Sequence, residues 1–242
     1  MEDKPFVLVE TAAYLVLYKP PLLHSVPLRQ SGEQTLLSWC ADRFPEVMSV
    51  QGKNPWEGGI LHRLDYETRG LILCARNQRA FDALSAQQKA GMFRKQYRAL
   101  SAKTEEALLA GFPPRPAAAS PPFTLKSGFR AYGQGRRIVR PLAANANVYS
   151  TAIIERLDCG TVFQWTIELC RGFRHQVRCH LSWLGYPILN DSLYGGEDLG
   201  GTLELCAEGL SFFDPFSGRP AAAGCFNVTA LYQEQGTAFC GS

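Results

Sequence analysis

The chain opens on two short apolar stretches, Phe6-Val7-Leu8-Val9 and Tyr14-Leu15-Val16-Leu17-Tyr18, whose β-branched and aromatic content predicts strands, the second closed by Lys19-Pro20-Pro21. From Thr35 to Phe44, Leu36, Leu37, Cys40, Ala41 and Phe44 fall at helical spacing, and Pro45 interrupts the pattern. After Gly70 the unbroken run Leu71-Ile72-Leu73-Cys74-Ala75 predicts a strand buried on both faces. Ala80, Leu84 and Gln87-Gln88 predict a helix that ends near Gly91. Phe93 to Leu100 then resumes an extended pattern, with Tyr97 flanked by Arg94, Lys95 and Arg98.

Proline and alanine dominate Gly111 to Pro122, which marks a connection, and Gly133-Gln134-Gly135-Arg136-Arg137 reads as a basic turn. Val148 to Glu155 and Thr161 to Leu169 alternate apolar and polar residues around Leu157-Asp158-Cys159-Gly160, the pattern of an antiparallel hairpin. A helix is expected from about Phe173, with Val177, Leu181 and Leu184 on one face and Arg171, Arg174, His175 and Arg178 on another.

Composition adds limits. With 242 residues, 46% hydrophobic and 19% charged, the chain can bury a substantial core, so a folded chain over most of its length, as one continuous domain, is expected. A net charge of +3 separates no partner class, but its distribution does more. No Asp or Glu lies between Glu106 and Glu155, an interval that holds Arg115, Lys126, Arg130, Arg136, Arg137 and Arg140. The eight cysteines form no C-x-x-C pair and several sit in apolar runs, as buried free thiols do. With no signal-peptide pattern and no apolar run long enough to span a bilayer, the expectation is a soluble cytoplasmic protein with no membrane partner.

One carboxylate stands out. In Gly58-Gly59-Ile60-Leu61-His62-Arg63-Leu64-Asp65-Tyr66-Glu67-Thr68-Arg69-Gly70, Asp65 sits in an expected loop leading into a buried strand, a placement that lets a rigid element present a reactive group. On residue chemistry alone it reads more readily as a loop cap or as the partner of Arg63 or Arg69. Further on come Arg171-Gly172-Phe173-Arg174-His175-Gln176-Val177-Arg178-Cys179-His180-Leu181, then Gly185-Tyr186-Pro187-Ile188-Leu189-Asn190-Asp191 and Tyr194-Gly195.

These stretches resemble the signatures of the RluA-type family of RNA pseudouridine synthases, H-R-L-D-x-x-T-S-G, G-R-x-H-Q-I-R-x-H-L and G-x-P-I-x-G-D-x-x-Y-G. Tyr14 to Pro21 resembles the family's opening strand, Lys95-Gln96-Tyr97-Arg98-Ala99-Leu100 its K-x-Y-x-A-L strand, and Leu203 to Arg219 its closing segment. Each match alone is weak; ordered along one chain they are strong.

The resemblance implies a nucleophile at Asp65, an active-site aromatic at Tyr97 and a basic partner at Arg178. Pseudouridine formation breaks the N1 to C1′ bond of uridine, turns the base and rejoins it through C5, so an ionised carboxylate has a sugar carbon to attack or a proton to remove. An unperturbed aspartic acid ionises at about pH 4. Tyr97 offers a flat face for the uracil, and stacking suits it better than proton removal by a phenol of ordinary pKa. The target uridine has to be flipped out, and Arg63 is the candidate to fill its place; a plain salt bridge to a neighbouring acid competes with that role. His62 is expected to orient the loop through a hydrogen bond.

Arg171, Arg174 and Arg178 near a helix start, with His175, are expected to hold RNA phosphate by charge and through backbone N-H groups. Arg69, Arg136 and Arg137 join them as candidate RNA contacts, although the 133–137 turn reads equally as a solvated loop. His175 and His180 lack a third clustered ligand, and the resemblance implies neither metal nor cofactor. The expected fold is an α+β domain over residues 1–242, with a central, mainly antiparallel mixed sheet flanked by helices and a catalytic cleft. No appended N-terminal RNA-binding domain is expected, and a monomer is.

The chain departs from the family at Arg69, where serine is usual, at Phe173, where arginine is expected one place before Arg174, and at Asn190 and Cys206. The implied activity is site-specific isomerisation of uridine in structured RNA, either tRNA or rRNA. A catalytically inactive RNA-binding or RNA-folding protein that retains the fold is the alternative, and a metal-dependent hydrolase is a weaker third.

Overall fold

The computed structural model describes residues 4–28, 33–105, 109–117, 119–142 and 147–224. Ten strands and three α-helices among them make an α+β protein, as expected. The described residues pack as two compact units, one formed by those up to Lys95 together with those from Ala207 on, the other by those between Gln96 and Cys206.

In the first unit β1 (Phe6–Glu10) pairs antiparallel with β2 (Tyr14–Lys19), and β2 with β3 (Arg69–Ala75). Strand β9 (Leu205–Phe213) lies beside β3 and carries β10 (Pro220–Gly224) antiparallel to it. Every β3 residue after Arg69 is buried, which is why its sequence is an unbroken apolar run and not an alternating one. Gly70 is required there: its φ is +129°, and a Cβ would lie 2.2 Å from the main-chain oxygen of Ala207.

Helix α1 (Leu36–Ala41) is capped reciprocally by Thr35 and Ser38, and ends before Phe44; Pro45 then opens a 3₁₀ turn, Pro45–Ser49. The expected helix was longer because Phe44 keeps the apolar spacing, yet it lies beyond the last helical turn. Helix α2 (Gln78–Lys89) starts at its cap Asn77 and buries Ala80, Phe81 and Leu84 against Leu73, Phe93 and Phe212. Each such Phe or Leu contributes about 1.5–3 kcal/mol by leaving water. Gln87 locks the same helix to β9, exchanging two 2.8 Å hydrogen bonds with the backbone of Phe213.

In the second unit the strand order is β4 (Arg94–Ala102), β8 (Val162–Leu169), β7 (Tyr149–Cys159), β5 (Phe123–Tyr132), β6 (Ile138–Leu142). The expected β7–β8 hairpin is present, but its turn falls later than the sequence suggested. Leu157, Asp158 and Cys159 pair with Gln164, Phe163 and Val162, and the chain reverses at Gly160, whose φ is +90° and whose N-H is received by Asp158. The basic turn at 133–137 is the tip of the β5–β6 hairpin.

Helix α3 (Gln176–Leu184) starts three residues later than expected. Its N-cap His175 sits in the left-handed region at φ +56°, which no helix continues through, and Phe173 and Gln176 close a tight turn ahead of it. The expected split into an apolar and a basic face also fails. Arg171 and Arg174 precede the helix, and α3 is buried on nearly all sides, Arg178 and His180 included.

Candidate active site

Asp65 is half-buried in a tight turn, the Thr68 N-H donating to its main-chain oxygen at 3.1 Å. Aspartate is favoured at the first position of such turns. The backbone on both sides of it is tied down. Ser25 Oγ donates to the Leu64 oxygen and accepts from the Leu64 N-H, each at 3.1 Å. On the other side Lys19 Nζ donates to the Tyr66 oxygen at 3.2 Å, and to the oxygens of Pro20 and Leu23 at 2.8 Å.

Lys19 is 0% exposed, and burial pulls its ammonium down from 10.5 to about 8, against the opposing pull of the Asp65 and Glu67 carboxylates. In the sequence Lys19-Pro20-Pro21 marks the end of a strand, and Lys19 carries no candidate role there. A lysine directly after five apolar or aromatic residues was the available signal, because such a position is buried and its ammonium then needs fixed acceptors.

The loop is also fixed to β3. The Leu61 N-H donates to the Leu73 oxygen at 3.0 Å, and the Leu73 N-H donates to His62 Nε2 at 3.2 Å. Burial, with Lys95 and Lys53, holds His62 well below the usual histidine range, so it is neutral and orients the loop by hydrogen bonding. Arg63 is exposed and its Nη1 lies 3.1 Å from Glu57 Oε1, the salt bridge to a neighbouring acid. Arg69 begins β3 and is half-buried.

In the second unit Tyr97 lies on the buried face of β4, with Ala99 and Ser101, while Arg98 takes the opposite, half-exposed face. Arg178 is 2% exposed, and its Nε and Nη2 donate to the two carboxylate oxygens of Asp191 at 2.7 and 2.8 Å. Its guanidinium also lies 5.5 Å from the Tyr194 ring centre. Arg178 is therefore a buried, aimed cation and not part of an exposed phosphate cluster at the start of α3. The arginine of one sequence motif and the aspartate and tyrosine of the next form one cluster, a link their spacing did not reveal.

The other expected RNA contacts divide. Arg136, Arg137 and Arg171 are exposed. Arg174 is exposed as well, but its Nη2 donates to the main-chain oxygens of Arg136 at 2.6 Å and Ile138 at 3.3 Å. His175 is half-buried, with Nδ1 3.2 Å from the Tyr194 hydroxyl, and burial, Arg178 and Arg174 lower it to about 3, so near pH 7 it carries no charge for phosphate. His180 has Nδ1 2.7 Å from Thr151 Oγ1 and Nε2 2.9 Å from Ser127 Oγ, so its ring serves the core. Cys40, Cys74 and Cys179 are buried free thiols; Cys225 and Cys240 lie outside the described residues.

Comparison with known proteins agrees with these motifs. The family model for RNA pseudouridylate synthase matches residues 13–183. The chain is 27% identical over 213 residues to the uncharacterized RNA pseudouridine synthase YjbO of Bacillus subtilis, covering 87% of this chain and 68% of the relative. It is 29% identical over 223 residues to the dual-specificity RNA pseudouridine synthase RluA of Vibrio vulnificus, covering 87% and 78%. Other relatives are longer: the chain spans 49% of an uncharacterized RNA pseudouridine synthase from Chloroflexus aurantiacus and 53% of the ribosomal large subunit pseudouridine synthase D of Pseudomonas aeruginosa. Among solved structures, human RNA pseudouridylate synthase domain containing 1 shares the fold, with a TM-score of 0.59, 18% identity, and coverage of 99% of this chain and 97% of that one. A family match across 13–183, with Asp65 and Arg178 inside it, shows that the chain belongs to the RNA pseudouridylate synthase family.

Proposed function

We propose that this chain isomerises uridine to pseudouridine at chosen positions in structured RNA, with Asp65 as the nucleophile. The observation that carries this is the pinning of Leu64 by Ser25 and of Tyr66 by Lys19. A loop carboxylate whose two neighbours are both held by buried side chains is preorganised for one geometry of attack.

Asp65 attacks C1′, or removes a proton from the sugar, as the N1 to C1′ bond breaks; the freed uracil turns, C5 bonds to C1′ as the Asp65–sugar bond breaks or the sugar proton returns, and the C5 hydrogen leaves as a proton while N1 takes one up. Tyr97 supports the base by stacking. Arg178, oriented by Asp191, is the basic partner. Flipping the uridine costs a few kcal/mol of unstacking, and Arg63 occupies the vacated place once it leaves Glu57. Arg136, Arg137 and Arg171 contact RNA phosphate. Residues 1–242 act as one catalytic domain, in the cytoplasm and as a monomer. The substrate is ribosomal or transfer RNA; the relatives' names, ribosomal large subunit and dual-specificity synthases, support this range.

The test is to incubate the purified protein with total RNA from cells that lack it and to map pseudouridine. New pseudouridine at discrete sites with wild type, absent with Asp65→Ala, supports the proposal. No new site in any RNA overturns it.

A further inference from the structure

The second unit carries a feature that the reaction chemistry does not explain. Strand β5 pairs with β7 only as far as Ser127↔Tyr149, then continues with β6 alone as a ribbon from Gly128↔Leu142 to Tyr132↔Ile138. Two-stranded ribbons are marginal by themselves in water. This one sets Arg130 directly opposite Arg140, a like-charge pair that works against pairing. Its tip holds Gly133, Gly135 and Arg136 at φ +76°, +64° and +54°, and the last has no glycine to ease that conformation.

Among the side chains that hold the ribbon in place, three come from the segment around α3. The Phe173 ring stacks on Phe129 at the ribbon's root, with centroids 5.2 Å apart and planes 10° from parallel. The Tyr194 hydroxyl receives the Val139 N-H at 2.8 Å. Arg174 Nη2 bonds the main-chain oxygens of Arg136 and Ile138, one on each side of Arg137. Phe173 and Arg174 are also where the chain departs from the family motif, with the arginine one place later than expected.

We infer that Arg174 is a positioning residue and not an RNA ligand: with Phe173 it clamps the β5–β6 ribbon so that Arg136 and Arg137 meet RNA phosphates on a preformed turn. This rests on reading the chain as an RNA-modifying protein. A guanidinium spent on two carbonyls of the tip fixes a backbone conformation that Arg136 would otherwise leave, and a tip already ordered loses less entropy when RNA binds. The shifted arginine thus serves the backbone of the tip, and leaves RNA phosphate to Arg136 and Arg137.

The experiment measures binding of unfractionated transfer RNA across a KCl series, together with hydrogen exchange of the amides of residues 133–138. Each phosphate contact contributes about 0.7–0.9 to the slope of log K against log salt. Arg136→Ala with Arg137→Ala is expected to flatten that slope by roughly 1.4–1.8. Arg174→Ala is expected to leave the slope unchanged, to weaken binding by about 2- to 10-fold through lost ordering, and to speed exchange at the tip. Arg174→Lys, which keeps the charge but not the planar fork, is expected to speed exchange in the same way.

A slope flattened by about one contact in Arg174→Ala, with tip exchange unchanged, makes Arg174 a phosphate ligand and overturns the inference. An unchanged slope in the double variant overturns it from the other side. Neither readout depends on isomerisation, so failure of the catalytic proposal is told apart from failure of this one.

Discussion

Lys19 Nζ donates to the main-chain oxygen of Tyr66, the residue that follows Asp65, from a position with no exposure to solvent. Two further carbonyls, of Pro20 and Leu23, complete its three donors. Lys19→Met removes the donor and strands these oxygens. A displacement near 1 Å at a reacting group costs up to ~10²-fold in rate, so kcat is expected to fall roughly 10- to 100-fold while KM for RNA changes little. Steady-state kinetics on a pseudouridylated target check the split.

The same ammonium makes activity and stability respond to pH in opposite directions. As pH rises through about 8, Lys19 loses a proton and one of its donors, so the rate is expected to fall with an inflection there. In the unfolded chain the group titrates at 10.5. Between these values the unfolded state holds the extra proton, so this group's contribution to stability rises with pH across that window and is level on either side. Thermal unfolding between pH 7 and 11 should show the wild type gaining on Lys19→Met from about 8 to 10.5.

Arg178 and Asp191 are buried partners, and removing one leaves the other charge without its counterion. Arg178→Met alone, or Asp191→Leu alone, is expected to lower stability by about 3–5 kcal/mol. The double substitution should recover much of that loss in urea unfolding but no isomerisation. Recovered activity in the double variant would show that Arg178 serves packing alone.

Tyr97→Phe keeps the flat face and removes the hydroxyl. If stacking is its role, this variant stays within about 10-fold of wild type, whereas Tyr97→Leu loses about 10- to 100-fold, the worth of a base on an aromatic ring. Equal damage in both would assign proton transfer to the phenol. Single-turnover rates on one RNA separate these outcomes.

Much of the fold was legible because the relevant signals are local. The Leu71–Ala75 run announced a strand buried on both faces, and the helical spacing of Leu36, Leu37 and Cys40 announced a helix there. The start of α3 was misplaced because only a backbone angle, the left-handed His175, marks it, and periodicity carries no trace of that. The β7–β8 turn was misplaced because Leu157-Asp158-Cys159 looks like turn composition yet continues the ladder. The motif residues Asp65, Tyr97 and Arg178 were found by resemblance. Lys19, Asp191 and Tyr194 were not assigned roles, since what defines them is burial and partners distant in sequence.

The most direct measurement uses RNA labelled with tritium at uridine C5, because joining C5 to the sugar expels that hydrogen. RNA from cells lacking the protein is incubated with wild type and with Asp65→Asn, an isosteric change at the half-buried position. Wild type is expected to release tritium in an amount set by the number of target sites, and Asp65→Asn to release none above background while still binding the RNA. Equal release by the two proteins, or no release by wild type, would contradict the assignment of Asp65 as the nucleophile of a uridine isomerase.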